Sequence, residues 1–176
     1  MHYYFDFGDS KKQDCHGLLS SLVLQLSVNS EPCFNILYNL YSDIGLANKP
    51  TLIALKKCIK DMLSRQDPIY IIIDALDECP NASETPSAHE EVLDQIKELA
   101  GMKQNVHVCV ASQPEMDIRT VLGSLEPLQI SLDDENGHQA DIIAFIERFV
   151  GLYMSGWTKG DQSLVIDTLS KKANGM

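Results

Sequence analysis

Pro68-Ile69-Tyr70-Ile71-Ile72-Ile73-Asp74-Ala75-Leu76-Asp77-Glu78-Cys79 is the stretch from which the fold is read. Ile69 to Ile73 is apolar at every position, rich in β-branched side chains, and bounded by Asp67-Pro68 and Asp74. Such a run reads as a strand, and its unbroken apolarity predicts cover on both faces, as in a parallel sheet between helices. Val106 to Ala111 has the same character, entered from Gln104-Asn105 and left at Ser112-Gln113-Pro114. Tyr3–Phe7, stopped by Gly8-Asp9-Ser10, reads as another strand, and Leu128–Leu132 is a further candidate.

Between these runs the apolar spacing changes to that of helices. Gly17 to Val28 carries Leu18, Leu19, Leu22, Val23 and Leu26, and Phe34 to Ile44 follows Pro32 with Leu37, Leu40 and Tyr41. Thr51 to Ser64 has a capping threonine and a stripe of Leu52, Leu55, Ile59, Met62 and Leu63. Helices are also expected over Ser87–Ala100, Glu115–Leu122, Gly137–Tyr153 and Asp161–Ala173. Strands alternating with helices mean right-handed crossovers and an α/β fold with a parallel sheet flanked by helices. Pro80–Pro86 reads as a polar loop, and Gly156-Trp157-Thr158-Lys159-Gly160 as a joint in which Trp157 anchors packing.

The chain has 176 residues, with 14 Lys+Arg against 25 Asp+Glu, a net charge of −11. At 44% hydrophobic it can bury a core, which excludes disorder. The acidic balance argues against nucleic acid and anionic membrane as partners, both of which call for a basic face. No apolar run approaches the roughly 20 residues of a membrane span, and the first residues lack the pattern of a signal peptide. The five cysteines, Cys15, Cys33, Cys58, Cys79 and Cys109, form no C-x-x-C pair; they read as reduced, mostly buried thiols of a cytoplasmic protein.

The chemistry sits where the apolar strand ends. Open α/β sheets take ligands at the carboxyl ends of their strands, and Asp74 lies there, with Asp77 and Glu78 one turn on. A carboxylate beside a buried strand calls for a cation or strong donors. Asp74 therefore reads as a ligand of hydrated Mg²⁺, and Asp77 and Glu78 as groups able to polarise a water for attack on a terminal phosphate. The same acids also suit a plain helix start, favoured by its dipole. The histidines, at 2, 16, 89, 107 and 138, show no i, i+4 metal pairing and read as surface or satisfied side chains.

Asp74-Ala75-Leu76-Asp77-Glu78, after its apolar run, resembles the Walker B motif of the NACHT class of signal-transducing P-loop NTPases (STAND class), of fungal NLR-like and nephrocystin-3-like N-terminal type. Tyr3–Phe7 and the Leu-rich helix after it resemble that class's second strand and helix. Val108-Cys109-Val110-Ala111-Ser112-Gln113-Pro114-Glu115 is similar to its sensor 1 segment. Ile130–Leu132 with Asp141–Ile146 resembles the last strand and its helix, and Lys172–Met176 the helical segment beyond. The resemblance implies Asp74 on Mg²⁺, Asp77 and Glu78 as catalytic groups around the hydrolytic water, and Ser112 and Gln113 against nucleotide. It further implies ATP or GTP with Mg²⁺ in an intact member, a partial α/β core over residues 1–135 and the start of a helical subdomain over 136–176.

Two departures matter. No G-x-x-x-x-G-K-[ST] occurs, and Gly8-Asp9-Ser10-Lys11-Lys12 lacks the second glycine and the Gly-Lys-Ser/Thr ending. The glycine nest and lysine that cradle phosphates are thus missing. Gln113 also stands where the class commonly has Arg. The expectation is a P-loop NTPase-like fold lacking its first strand and phosphate loop, a piece of a longer product unable to hydrolyse ATP alone. In the implied sheet order the lost strand lies between Val106–Ala111 and Leu128–Leu132. The alternative is a non-catalytic scaffold acting through protein partners or self-association over exposed sheet edges.

Overall fold

A computed structural model of the chain describes residues 1–45, 48–64, 68–80, 87–102, 106–125, 127–131 and 136–172, with no side-chain description over 136–139. The chain forms two compact units, Met1–Pro127 and Leu128–Met176. In the first unit a three-stranded parallel sheet has the order β1 (His2–Tyr4), β2 (Ile69–Asp74), β3 (Val106–Val110). The register pairs Tyr3 with Ile73 and Ile73 with Val110. Around it stand α1 (Cys15–Asn29), α2 (Glu31–Ile44), α3 (Leu52–Leu63), α4 (Ala88–Ala100) and α5 (Met116–Gly123). The α/β class and the parallel sheet flanked by helices are therefore what the chain has.

Local chemistry sets the helix starts. The Asp14 carboxylate accepts from the Gly17 amide at 2.7 Å to open α1, and Thr51 accepts from the Ala54 amide to open α3. Ser87 and Glu90 form a reciprocal capping box at the start of α4. α2 begins at Glu31, earlier than its apolar stripe, because Pro32 is tolerated in a first turn whose amides lack helical partners. α1 touches β1 and three helices, α2, α3 and α4. Its Gly17 is required by that closeness: a β-carbon there would meet the Lys11 carbonyl oxygen at 2.2 Å and the Tyr3 hydroxyl at 2.8 Å.

The core is one continuous cluster in which Tyr3, Ile69, Ile71, Ile73 and Val106 of the sheet face Leu18, Leu22, Ile59, Met62, Leu93 and Ile96 of the helices. The other sheet face differs from the sequence expectation. Tyr70 and Ile72 are 60% and 51% exposed, and Tyr4, His107 and Cys109 beside them are exposed as well. Tyr70 stacks on His107 at 4.9 Å between ring centroids. The described helices of this unit bury only the inward side of the pleat, so an apolar strand is half-covered here rather than sandwiched.

Four cysteines, Cys15, Cys33, Cys58 and Cys79, are buried, and Cys109 is exposed. Burial pushes the Cys15 and Cys79 thiols up to about 12 and that of Cys58 to about 11.

Two further expectations are corrected. Leu128–Ser131, the described part of the Leu128–Leu132 candidate, is not a strand, and Leu128 and Ile130 are 92% and 70% exposed. A strand exists only against a neighbour, and among the described residues none pairs with this segment. Trp157 is not a packing anchor but 54% exposed. It lies in the turn joining α6 (Asn136–Tyr153) to α7 (Lys159–Lys172), where its carbonyl accepts from Gln162 Nε2. That turn lies inside the second unit, which packs α6 against α7 and buries Ile146 and Val150. On α6 the rings of Phe145, Phe149 and Tyr153 follow one another at 6.2 and 4.6 Å between centroids, tilted by 31° and 36°. Most of the Pro80–Pro86 loop, and Ala173–Met176, lie outside the described residues.

The asymmetric sheet sets an expectation for stability. Ile71→Ala, at a fully buried position, is expected to cost about 2–5 kcal/mol, whereas Ile72→Ala on the open face should cost under about 1 kcal/mol. Urea unfolding of the two variants checks the difference.

Candidate functional site

β2 delivers Asp74 to the carboxyl rim of the sheet, where its side chain is exposed and its Oδ1 accepts from the Ala75 amide at 2.9 Å. Ala75 then adopts a left-handed conformation, φ 52° and ψ 44°. This is uncommon for a residue with a β-carbon. The bend starts a short 3₁₀ turn, Leu76–Glu78, whose Leu76 is wholly buried. Backbone bonds lock the bend to the neighbouring strand: the Ala111 amide donates to the Ile73 carbonyl at 2.8 Å, and the Leu76 amide to the Ala111 carbonyl at 3.2 Å.

The two other acids of the turn reach in opposite directions. Asp77 Oδ1 accepts from the Gln113 amide at 3.0 Å and from the Ser112 hydroxyl at 3.3 Å. Glu78 Oε2 accepts from the Phe7 amide at 3.1 Å, while the Phe5 amide donates to the Asp74 carbonyl. Asp77 thus ties the rim to the segment after β3, and Glu78 ties it to the segment after β1. The structure brings all five residues, Asp74, Asp77, Glu78, Ser112 and Gln113, to one edge of one sheet.

That edge suits half of a magnesium–phosphate site. A solvent-facing carboxylate at a strand end is the donor a hydrated Mg²⁺ takes. The Gly8–Lys12 loop, in contrast, does not present a phosphate cradle. Four of its five amides are used internally: Gly8 donates to Asp6 Oδ1, Asp9 to the Asp6 carbonyl, Lys11 to Asp9 Oδ1 and Lys12 to the Asp9 carbonyl. The Lys12 ammonium is engaged with the Tyr4 hydroxyl. A nest needs such amides pointing at the ligand.

The sequence profile of the family described as Nephrocystin 3, N-terminal matches residues 1–113. The chain belongs to the nephrocystin-3 N-terminal family. The match runs from before β1 to Gln113, so it encloses the sheet and every residue gathered at the rim. No curated protein and no solved structure matches the chain. The nephrocystin-3 N-terminal region thus comprises, in this protein, β1–β3, α1–α4 and the acidic turn.

Reading the sequence missed the anchoring roles of Asp77 and Glu78, because partners 36 and 71 residues away leave no local signature. It also passed over His89, which is buried at the start of α4 with its Nδ1 at 3.1 Å from the Cys79 carbonyl, one residue beyond the acidic turn.

If Asp77 holds the Ser112–Gln113 segment, Asp77→Ala frees that segment while the core stays intact. The Gln113 amide is then expected to exchange with solvent roughly tenfold faster, the equivalent of about 1.4 kcal/mol for one lost charge-assisted bond. Amide hydrogen exchange by NMR checks this, with the Ile71 amide as the unaffected reference.

Proposed function

We propose that this nephrocystin-3 N-terminal chain is the magnesium-binding part of a NACHT-type nucleotide switch that works in signal transduction in the cytoplasm. The supporting observation is the rim itself: an exposed aspartate at the end of the central parallel strand, with two further acids and the Ser112–Gln113 segment fixed around it. The strand order β1-β2-β3 also supports the reading, since it places the acidic strand between the aromatic strand and the strand that ends in Ser112.

In this reading Asp74 orients hydrated Mg²⁺ beside the phosphates of ATP or GTP. Each of Asp77 and Glu78 commits one carboxylate oxygen to a backbone amide, and its second oxygen is the one available to a water at the rim. Gln113 offers an amide side chain toward the terminal phosphate, and the Ser112 hydroxyl joins it only by turning its one proton away from the Asp77 carboxylate. Gln113 is neutral and does not compensate developing charge as an arginine would. The sequence holds no phosphate loop, so in this reading the chain does not hydrolyse ATP on its own, and residues 136–176 are the start of a helical subdomain.

The expected result is weak, Mg²⁺-dependent binding of ATP to this chain at millimolar concentration, reduced several-fold by Asp74→Asn. Calorimetry and NMR shifts at the rim amides measure it. A chain that ignores millimolar Mg·ATP would reject the reading.

A second reading is favoured by the open sheet face, where Tyr4, Tyr70 and Ile72 are exposed together. There the domain is a non-catalytic scaffold that associates through apolar surface. Sedimentation would then show concentration-dependent self-association, insensitive to ATP and weakened by Ile72→Lys. A monodisperse monomer over the same range would remove it.

A further inference from the structure

A second cluster, away from the acidic turn, gathers His89 from the first turn of α4 with Glu115 and Asp117 from the start of α5. One ligand-type atom from each lies within 4.8 Å of the others. The cluster opens on a groove of about 1110 Å³ whose wall also carries Glu90, Glu91 and Asp94, with Lys56 the cation among the lining residues.

Carboxylates at a helix N-terminus are ordinary, since the dipole favours them. His89 is not explained that way. Its side chain is 99% buried, being 1% exposed. Its Nδ1 lies 3.1 Å from the Cys79 carbonyl, which only accepts, so Nδ1 carries a proton and donates. In the neutral ring Nε2 then holds the lone pair. That atom is buried without a hydrogen-bond partner, although Asp117 Oδ2 lies 3.2 Å from it. Proximity without hydrogen-bond alignment is what two ligands of one ion show, since the ion lies on the imidazole lone-pair axis and the carboxylate sits beside that axis.

The dimensions agree. Zinc bonds of roughly 2.0–2.1 Å to nitrogen and oxygen place tetrahedral ligand atoms about 3.3 Å apart. The three ligand-type atoms lie within 4.8 Å of one another, and the exposed Glu115 side chain has room to turn toward the other two when an ion binds. The Cys79 carbonyl behind His89 is the outer partner that a metal-bound imidazole ordinarily has, fixing tautomer and ring orientation. An imidazole with two carboxylates selects a first-row transition ion such as Zn²⁺ over Mg²⁺, which prefers oxygen alone.

We infer that His89 Nε2, Glu115 and Asp117 form a Zn²⁺-type site that clamps the start of α4 to the start of α5. This site is independent of the nucleotide reading, since it shares no residue with the rim.

The test titrates the metal-free full chain with ZnCl₂ alone and, in parallel, with MgCl₂ alone, by calorimetry, and reads the bound metal by zinc X-ray absorption. The expected result is one Zn²⁺ per chain at micromolar concentration, a nitrogen and oxygen shell without sulfur, a melting temperature that rises with zinc, and no Mg²⁺ uptake in that range. His89→Gln and Asp117→Asn should each weaken zinc binding more than about tenfold, the lower end of the range for losing even an outer partner. Asp94→Asn, in the same groove, should leave it unchanged. Asp117 is partly exposed, so its variant keeps the measurement interpretable if the His89 variant fails to fold. The inference is overturned by any of three results: no zinc uptake, with His89 and Asp117 simply an ion pair; sulfur in the shell, which would move the metal to the thiols; or wild-type affinity in Asp117→Asn.

Discussion

The described architecture of the acidic rim depends on one small set of bonds, those that carry the backbone from β2 across the end of β3. The Ala111 amide on the Ile73 carbonyl and the Leu76 amide on the Ala111 carbonyl leave the chain no route except over its neighbour. Leu76, completely buried, fastens the bend from below, and Ala75 absorbs the required reversal in a left-handed conformation. Unusual backbone of this kind costs of order 1–3 kcal/mol and persists only where the surroundings over-determine it. Here the buried leucine and the two cross-strand bonds do so, and the reward is three acids displayed within one turn. Remove the constraint and Asp74, Asp77 and Glu78 become an ordinary acidic loop.

Much of this was legible in the sequence. The helices over 15–29 and 52–63 follow from apolar residues at helical spacing and from good caps, and the strand over 69–74 follows from its β-branched run. Segments whose state depends on a distant partner were less legible. Leu128–Ser131 has the composition of a strand but no neighbour among the described residues, so it stays irregular and exposed. The half-covered sheet was unreadable for a related reason: an apolar pattern reports what a face can tolerate, not what lies on it.

The candidate site divides the same way. Asp74, Asp77 and Glu78 stand in one short motif, and the resemblance of the surrounding strands joined Ser112 and Gln113 to them. What the residues could not disclose is that the Asp77 and Glu78 carboxylates serve as ties to Gln113 and Phe7, which requires knowing that β2 lies between β1 and β3. The His89 cluster was hidden more deeply, since its members come from two helices and obey no spacing rule. Its only sequence trace is a histidine on the apolar face of α4, which more often marks a satisfied core residue.

The β2 composition has a consequence for how the sheet assembles. In most half-buried strands a one-residue slip would drive polar side chains inward, and the hydrophobic pattern itself forbids it. In Ile69–Asp74 a slip would exchange three isoleucines for Tyr70, Ile72 and Asp74, so the apolar positions hardly discriminate between the two alignments and the penalty falls at the polar end, on Asp74. Correct alignment must come instead from the polar ends, where the Phe5 and Ala111 amides find the carbonyls of Asp74 and Ile73. During synthesis β1 and β2 emerge well before Ala111, so the nascent sheet passes through an interval in which one of its two alignment marks does not yet exist.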